Sequence, residues 1–319
     1  MNITIEKFTE NHIGEALSLF ECEFQEEARH CPDLPQEDFT ERLTGVLHWL
    51  CGQPYGKAAF DNGRLIGYLI FAGPWEGFFG DVRGVFSPLG GSAFSFDAKD
   101  RGRIASLLFE SVSQEFVGDG VYSCALSRFA HDADITRSLV LNGFGIRCSD
   151  AVRKISELTL SYSSDEVRFS ELPISEFGRI RKLRHGLVKH LEKAPIFYPT
   201  DMERFDEWFA KEDMRVFIAE TKGKTVGFIS LDDDAENFIT EHSGMKNICG
   251  AYFDEKYRGK GIAQDLLAFI CDTLRTEEVT HLGVDCETLN PTALNFWGKY
   301  FTPYTYSFAR RIDERIGKN

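Results

Sequence analysis

The hydrophobic and polar positions of this chain change period in an order that occurs twice. Ile3 to Phe8 alternates as a short strand does, and His12 to Glu27 then carries apolar residues at helical spacing. Asp38 to Cys51 reads as a second helix. Ala58-Ala59-Phe60-Asp61-Asn62-Gly63-Arg64-Leu65-Ile66-Gly67-Tyr68-Leu69 follows as strand, Asn-Gly turn and strand, since the tight turn of a hairpin needs the left-handed angles that Asn and Gly tolerate. The succession then returns. Val167 to Leu172 predicts a strand, and Ser175 to Lys193 a helix with Phe177, Ile180, Leu183, Leu187 and Leu191 on one face. Thr200-Asp201-Met202-Glu203 has capping-box spacing for another helix, and Phe217 to Ile229 reads as a second hairpin.

Two landmarks fix the period. Gly67 and Gly227 stand 160 positions apart, and Leu107-Leu108 stands 159 positions before Leu266-Leu267. Such a repeat predicts two copies of one unit. Each copy runs strand, helix, helix, three strands, helix, strand, helix, an α+β plan around one mixed sheet. The polar break Tyr162-Ser163-Ser164-Asp165, after a strand at Ile155 to Leu160, sets the expected units at 1–162 and 163–319.

Composition narrows the function. A chain of 319 residues with 43% hydrophobic content can fill two cores. No apolar run approaches the roughly 18 residues of a membrane span, and Met1-Asn2-Ile3-Thr4-Ile5-Glu6-Lys7 starts a polar strand rather than a secretion signal, so a cytoplasmic protein is expected. The eight cysteines are scattered without Cys-x-x-Cys or His spacing, which predicts reduced core residues and no metal site. A net charge of −14 argues against nucleic acid, whose binding needs clustered Lys and Arg. It suits a cationic or neutral partner, or serves solubility alone.

The chemistry concentrates in Tyr257-Arg258-Gly259-Lys260-Gly261-Ile262-Ala263, between an apolar strand, Ile248 to Phe253, and a helix opening near Gln264. A strand that breaks into a Gly-rich turn and a helix aims unpaired N–H groups at one spot, a receptor for phosphate oxygens. Gly259 and Gly261 permit close approach, Arg258 and Lys260 add charge, and Ala263 keeps the first helical turn small. A Walker loop is excluded, because no Gly-Lys-Ser/Thr ending follows. Downstream, a strand Leu282 to Cys286 leads to Asn290-Pro291-Thr292-Ala293-Leu294-Asn295-Phe296-Trp297.

These residues resemble the GNAT superfamily of acyl-CoA-dependent N-acyltransferases. Arg258, Gly261 and Ala263 match its strand-to-helix signature, with Glu255 where a Pro is common, and Asn290 to Trp297 is similar to its later helix start. The resemblance covers nearly all of 165–310 and implies two tandem units, each a mostly antiparallel sheet flanked by helices. It implies acetyl-CoA as cosubstrate and no metal. The backbone at Tyr252 and Phe253 would pair with the pantetheine arm, Arg258 to Ala263, Ile262 included, would cradle the pyrophosphate, and Asn290 would reach the arm. The family often has a Tyr where Trp297 stands. Tyr300, one turn on, is the substitute acid for the leaving thiolate or else a packing aromatic. Asp285 and Glu287, sharing a strand face, are candidate bases, as are Glu241 and His242. The run Asp232-Asp233-Asp234-Ala235-Glu236 would draw a cationic amine or is simply a solvated loop.

In the first copy, Lys99, Gly102, Ile104 and His131 fall at the positions of Arg258, Gly261, Ala263 and Asn290. Ile104 is branched where a ligand needs room, and Pro88-Leu89-Gly90-Gly91 interrupts the preceding strand. The expected function is acetyl transfer to a primary amine in the second unit, with the first as a scaffold that shapes the acceptor pocket. The rival is a non-catalytic acyl-CoA sensor.

Overall fold

The computed structural model describes residues 3–78, 80–155, 166–209 and 214–318. In chain order its first unit begins with β1 (Ile3–Lys7), α1 (Ile13–His30), α2 (Thr40–Cys51), β2 (Tyr55–Asp61) and β3 (Arg64–Trp75). It continues with β4 (Gly84–Ser87), β5 (Ser92–Phe94), α3 (Arg101–Gly118), β6 (Ser123–Phe129), α4 (Ala133–Leu141) and β7 (Gly145–Lys154). Then come β8 (Val167–Leu172), α5 (Arg181–Leu191), α6 (Met202–Trp208), β9 (Arg215–Thr221), β10 (Lys224–Asp232) and β11 (Met245–Phe253). The chain closes with α7 (Ile262–Arg275), β12 (His281–Glu287), α8 (Pro291–Trp297) and β13 (Thr302–Arg311). The strand expected at Ile155 to Leu160 lies, beyond Ile155, outside the described residues, as does the break at Tyr162-Ser163-Ser164-Asp165.

The chain packs as two units, Met1–Ser149 together with Pro303–Asn319 in one and Asp150–Thr302 in the other. The last strand is therefore not with the residues that precede it in sequence. β13 pairs antiparallel with β6, from Thr305 opposite Phe129 to Arg311 opposite Ser123, and Phe308 is fully buried in the first unit's core. Residues from Asp150 on in β7 belong with the second unit, where β7 neighbours β12 and Ala151 joins the core.

Within the first unit the strands run β1, β2, β3, β4, β6, β13, with β5 also on β3. Within the second they run β7, β12, β11, β10, β9, β8. Among the described pairings, β4 with β6 and β11 with β12 are parallel, and the hairpin strands beside them are antiparallel. The second sheet is buried on both faces. Phe217 and Ala219 of β9 pack with α7 residues such as Leu266 and Ile270, whereas Val216 and Ile218 face Phe177, Ile180 and Phe209. The expected helix at Ser175 to Lys193 is a 3₁₀ segment, Ile174–Ile180, running into α5. The cap of α6 is Asp201 rather than Thr200, its carboxylate accepting from Glu203 and Arg204 N–H.

The hairpins match residue for residue at the place that sets the repeat. Gly67 pairs with Phe94 and Gly227 with Phe253, and in both a phenyl ring lies over the glycine. A Cβ at Gly227 would stand 2.1 Å from the Phe253 ring, and one at Gly67 3.0 Å from that of Phe94. Gly227→Ala should cost about 1–3 kcal/mol through overpacking, and Gly67→Ala less, measured as the shift in urea midpoint.

Candidate functional site

Parallel pairing of β11 and β12 runs from Met245 opposite His281 to Ile248 opposite Val284 and stops, although the strands continue to Phe253 and Glu287. The cause lies in β11. Its register with β10 shifts between Ser230 and Leu231, leaving Cys249 as an extra residue. A bulge of this kind bends its strand and re-aims the residues after it. Beyond it, Ala251, Tyr252 and Phe253 line one wall of a cavity of about 340 Å³. α5 contributes Leu187 and His190, the turn and first residues of α7 contribute Arg258, Gly259, Gly261, Ile262, Ala263 and Gln264, and Asn290, Trp297 and Tyr300 come from the α8 region.

The turn end of this cavity is built for an anion. α7 begins with Gly261 at φ 81° as its N-cap, and no side chain caps it, so the first N–H groups of the helix have no intrahelical partner. Gly259 is also left-handed, at φ 71°. Arg258 is held in place as its Nε donates to the Phe253 carbonyl at 2.9 Å and its guanidinium lies 4.9 Å from the Tyr252 ring centre. Tyr252 in turn lies where a Cβ at Gly186 would come within 2.7 Å of its ring. Lys260 stands apart from the cavity lining, its ammonium 5.4 Å from the Tyr257 ring centre.

At the opposite wall Asn290 caps α8. Its Oδ1 accepts from Ala293 N–H at 3.3 Å and lies 3.3 Å from His190 Nε2. Trp297 is buried in the core. Tyr300 donates its phenol proton to Gln264 Oε1 at 2.7 Å, and burial, with Asp265 second, raises its pKa. A phenol so placed holds its proton at neutral pH. His190, Gln264 and Leu187 were not among the residues expected from sequence. No sequence signal marks them, because nothing in α5 or in the first turn of α7 read alone distinguishes one helical position from the next.

Asp285 and Glu287 do not line this cavity. Asp285 is exposed at the end of β12 and belongs to an acidic group with Asp150, Asp232, Asp234 and Glu236. Glu236 is exposed as a residue, yet protein atoms crowd its carboxyl. Desolvation first and repulsion from Asp285 and the other carboxylates second raise its pKa to about 9. Of the remaining base candidates, Glu241 is exposed, and His242 uses Nδ1 to accept from the Gly244 N–H at 3.2 Å within the turn before β11. Neither lines the cavity.

The first unit handles the corresponding helix start differently. Asp100 caps α3, its carboxylate accepting from Arg103 N–H at 2.9 Å, so a negative charge already occupies the place where phosphate would sit. Ile104 does not crowd that place; it is fully buried in the core beside Gly67. The loop Pro88-Leu89-Gly90-Gly91 separates β4 from β5, the counterpart of the bulged β11.

Residues 185–301 match the acetyltransferase (GNAT) family. Among solved structures, the GCN5-related N-acetyltransferase from Sphaerobacter thermophilus is 12% identical, with a TM-score of 0.58 over 97% of this chain and 95% of that one. The GCN5-related glucosamine N-acetyltransferase region of a fungal multi-domain beta-N-acetylglucosaminidase is 13% identical, with a TM-score of 0.55 over 97% of this chain and 38% of that one. At such identities the likeness is one of fold. Curated proteins yield no sequence match to the chain.

Two outcomes check this geometry. Gly261→Glu should abolish coenzyme A binding in calorimetric titration, while Gly261→Ala, carrying the same backbone strain of about 1–2 kcal/mol without the charge, should retain measurable binding. For Glu236, a raised folded pKa gives stability that is full below the unfolded value near 4.5 and is lost as pH rises through about 9. Glu236→Gln should therefore flatten the fall in Tm between pH about 5 and about 9.

Proposed function

We propose that this chain, whose residues 185–301 match the acetyltransferase (GNAT) family, transfers an acetyl group from acetyl-CoA to a primary amine. The transfer occurs by direct attack in a ternary complex held by the second unit. The observation that carries the reading is the cavity where β11 leaves β12, because it joins a free strand edge to the bare N-terminus of α7. The fit to the cosubstrate rests on those two features. The N–H groups after Gly259, with the Arg258 charge beside them, suit a pyrophosphate. The edge of Ala251, Tyr252 and Phe253 can pair with an amide-bearing arm as an added strand would, and the Asn290 side-chain amide can donate to it.

The chemistry needs positioning, donors for the oxyanion and a proton for the sulfur. Backbone N–H groups at the end of β11 supply the oxyanion contact. The amine nitrogen attacks the thioester carbonyl carbon, the C–N bond forms, the C–S bond breaks, and Tyr300 gives its phenol proton to the departing thiolate. Gln264 aims that hydroxyl. No cysteine or serine is among the described residues lining the cavity, which favours direct attack over an acyl-enzyme. The acceptor is drawn as a cation to Asp285 and the neighbouring aspartates; its ammonium gives one proton to solvent before attack, and the proton the nitrogen loses after the C–N bond forms passes through water to Asp285 or Glu287, which stand off the cavity. All eight cysteines are free, in keeping with a reducing, cytoplasmic setting, and among the described residues no helix is long and apolar enough to cross a membrane. A nucleic-acid partner is disfavoured by the net charge of −14.

The rival reading, an acyl-CoA sensor without catalysis, draws on the buried Trp297 and on the carboxylates standing off the cavity. Thiol release from acetyl-CoA with a panel of primary amines separates the two: turnover with at least one amine is expected, and tight binding without turnover on any would favour the sensor. With a competent amine, Tyr300→Phe should lower kcat about 10²-fold and leave the KM for acetyl-CoA nearly unchanged.

A further inference from the structure

The first unit contains a second cavity, of about 320 Å³, at the place that corresponds to the first. The correspondence comes from register. Asp61 and Thr221 are equivalent at the hairpin offset and pair with Ile3 and Val167, so α1 maps on α5 with Glu23 at the position of Leu187 and Glu26 at that of His190. Leu187 and His190 line the cavity of the second unit, and Glu23 and Glu26 line that of the first. A leucine and a histidine of the cleft wall are thus replaced by two glutamates.

Its floor is a buried charge network. Arg101 holds Asp132 through two N–H groups at 2.9 and 2.7 Å, and Arg128 donates to Glu23 at 2.7 Å and to Asp132 at 3.2 Å. Glu23, 2% exposed, receives Arg101, Arg128 and the Phe94 N–H on Oε1 alone. Its Oε2 is buried and has no hydrogen-bond partner. A buried carboxylate oxygen without a donor is costly, and it lies on a residue that lines the cavity. Higher up, Glu27 accepts from the His131 N–H at 3.1 Å and lies 2.7 Å from His131 Nδ1, with His30 stacked on that ring. Asp134 stands exposed at the rim. Five carboxylates face one guanidinium among the lining residues, and Phe96 and Phe129 add apolar wall.

We infer that this cavity binds a small organic cation bearing N–H donors, a primary ammonium on a short apolar stem, and does not bind the acyl-CoA cosubstrate. The donor satisfies Glu23 Oε2, the carboxylates supply the counter-charge, and the phenyl rings cover the stem. Anions are turned away by the same carboxylates and by the Asp100 cap on α3. The second unit's own activity is not needed for this conclusion.

The test is titration of the full chain with 1,4-diaminobutane while the imidazole proton signals of His30 and His131 are followed by NMR, assigned with His30→Gln and His131→Gln. Saturable shifts of both are expected. Glu23→Gln should weaken binding about ten-fold or more, and Asp134→Asn, a rim change that leaves the buried network intact, by a smaller factor. Should Glu23→Gln not fold, Asp134→Asn decides. The inference is overturned if the signals do not shift saturably, if Asp134→Asn leaves the affinity unchanged, or if inorganic phosphate or acetyl-CoA produces the same saturable shifts.

Discussion

Every backbone N–H and carbonyl that leaves a sheet must find another partner, and the second unit is organised around a place where that obligation is left open. β11 begins as an ordinary interior strand, bonded to β10 on one side and β12 on the other. The bulge at Cys249 ends the second partnership while the first continues to Phe253. Other features depend on this. The glycines at 227 and 186 clear space for the rings of Phe253 and Tyr252, whose backbone is the free edge, and Arg258 folds back on the Phe253 carbonyl so that the turn into α7 is fixed relative to that edge.

The two units share one plan and differ in the side chains that line their cavities. In both, a helix follows the strand after the hairpin, α3 after β4 and β5 and α7 after β11, and its start lines a cavity together with the start of a later short helix. In the second unit the helix starts on a left-handed glycine with no side chain capping its first N–H groups. In the first it starts on Asp100, which brings its own carboxylate to those groups. Likewise Leu187 and His190 give way to Glu23 and Glu26, and the buried arginines 101 and 128 balance the carboxylates so introduced. The exchange replaces a leucine and an imidazole by two carboxylates without altering the strand order.

Much of the fold could be read in the sequence because it is written in period and punctuation. Asn62-Gly63, Gly67 and Gly227, and the turn ending at Ala263 report backbone geometry directly, and they carry the plan of each unit and the position of the turn that ends the cavity. Side-chain partnerships are not written that way. Ile104 looked like an obstruction by its shape, and its direction into the core depends on the helix rotation that Gly67 receives. Asp285 and Glu287 share a strand face, yet whether that face meets the cavity depends on where β11 and β12 part, and this rests on one extra residue that no pattern marks. Spacing alone brings Tyr300 to the side of Trp297, while Gln264, which accepts its hydroxyl proton, is found only once the helices are packed.

The return of β13 to the first unit sets an order of assembly. The second unit is a continuous stretch, Asp150–Thr302, whereas the first has β6 without its β13 neighbour until Pro303–Asn319 arrives. A chain made from its N-terminus therefore cannot complete the first sheet until its last residues have been made. The first unit must wait with the place of Phe308 unfilled. A stop codon shortly before Pro303 would spare every residue lining the cavity of the second unit and still leave the protein with an open sheet edge at β6, a template for aggregation.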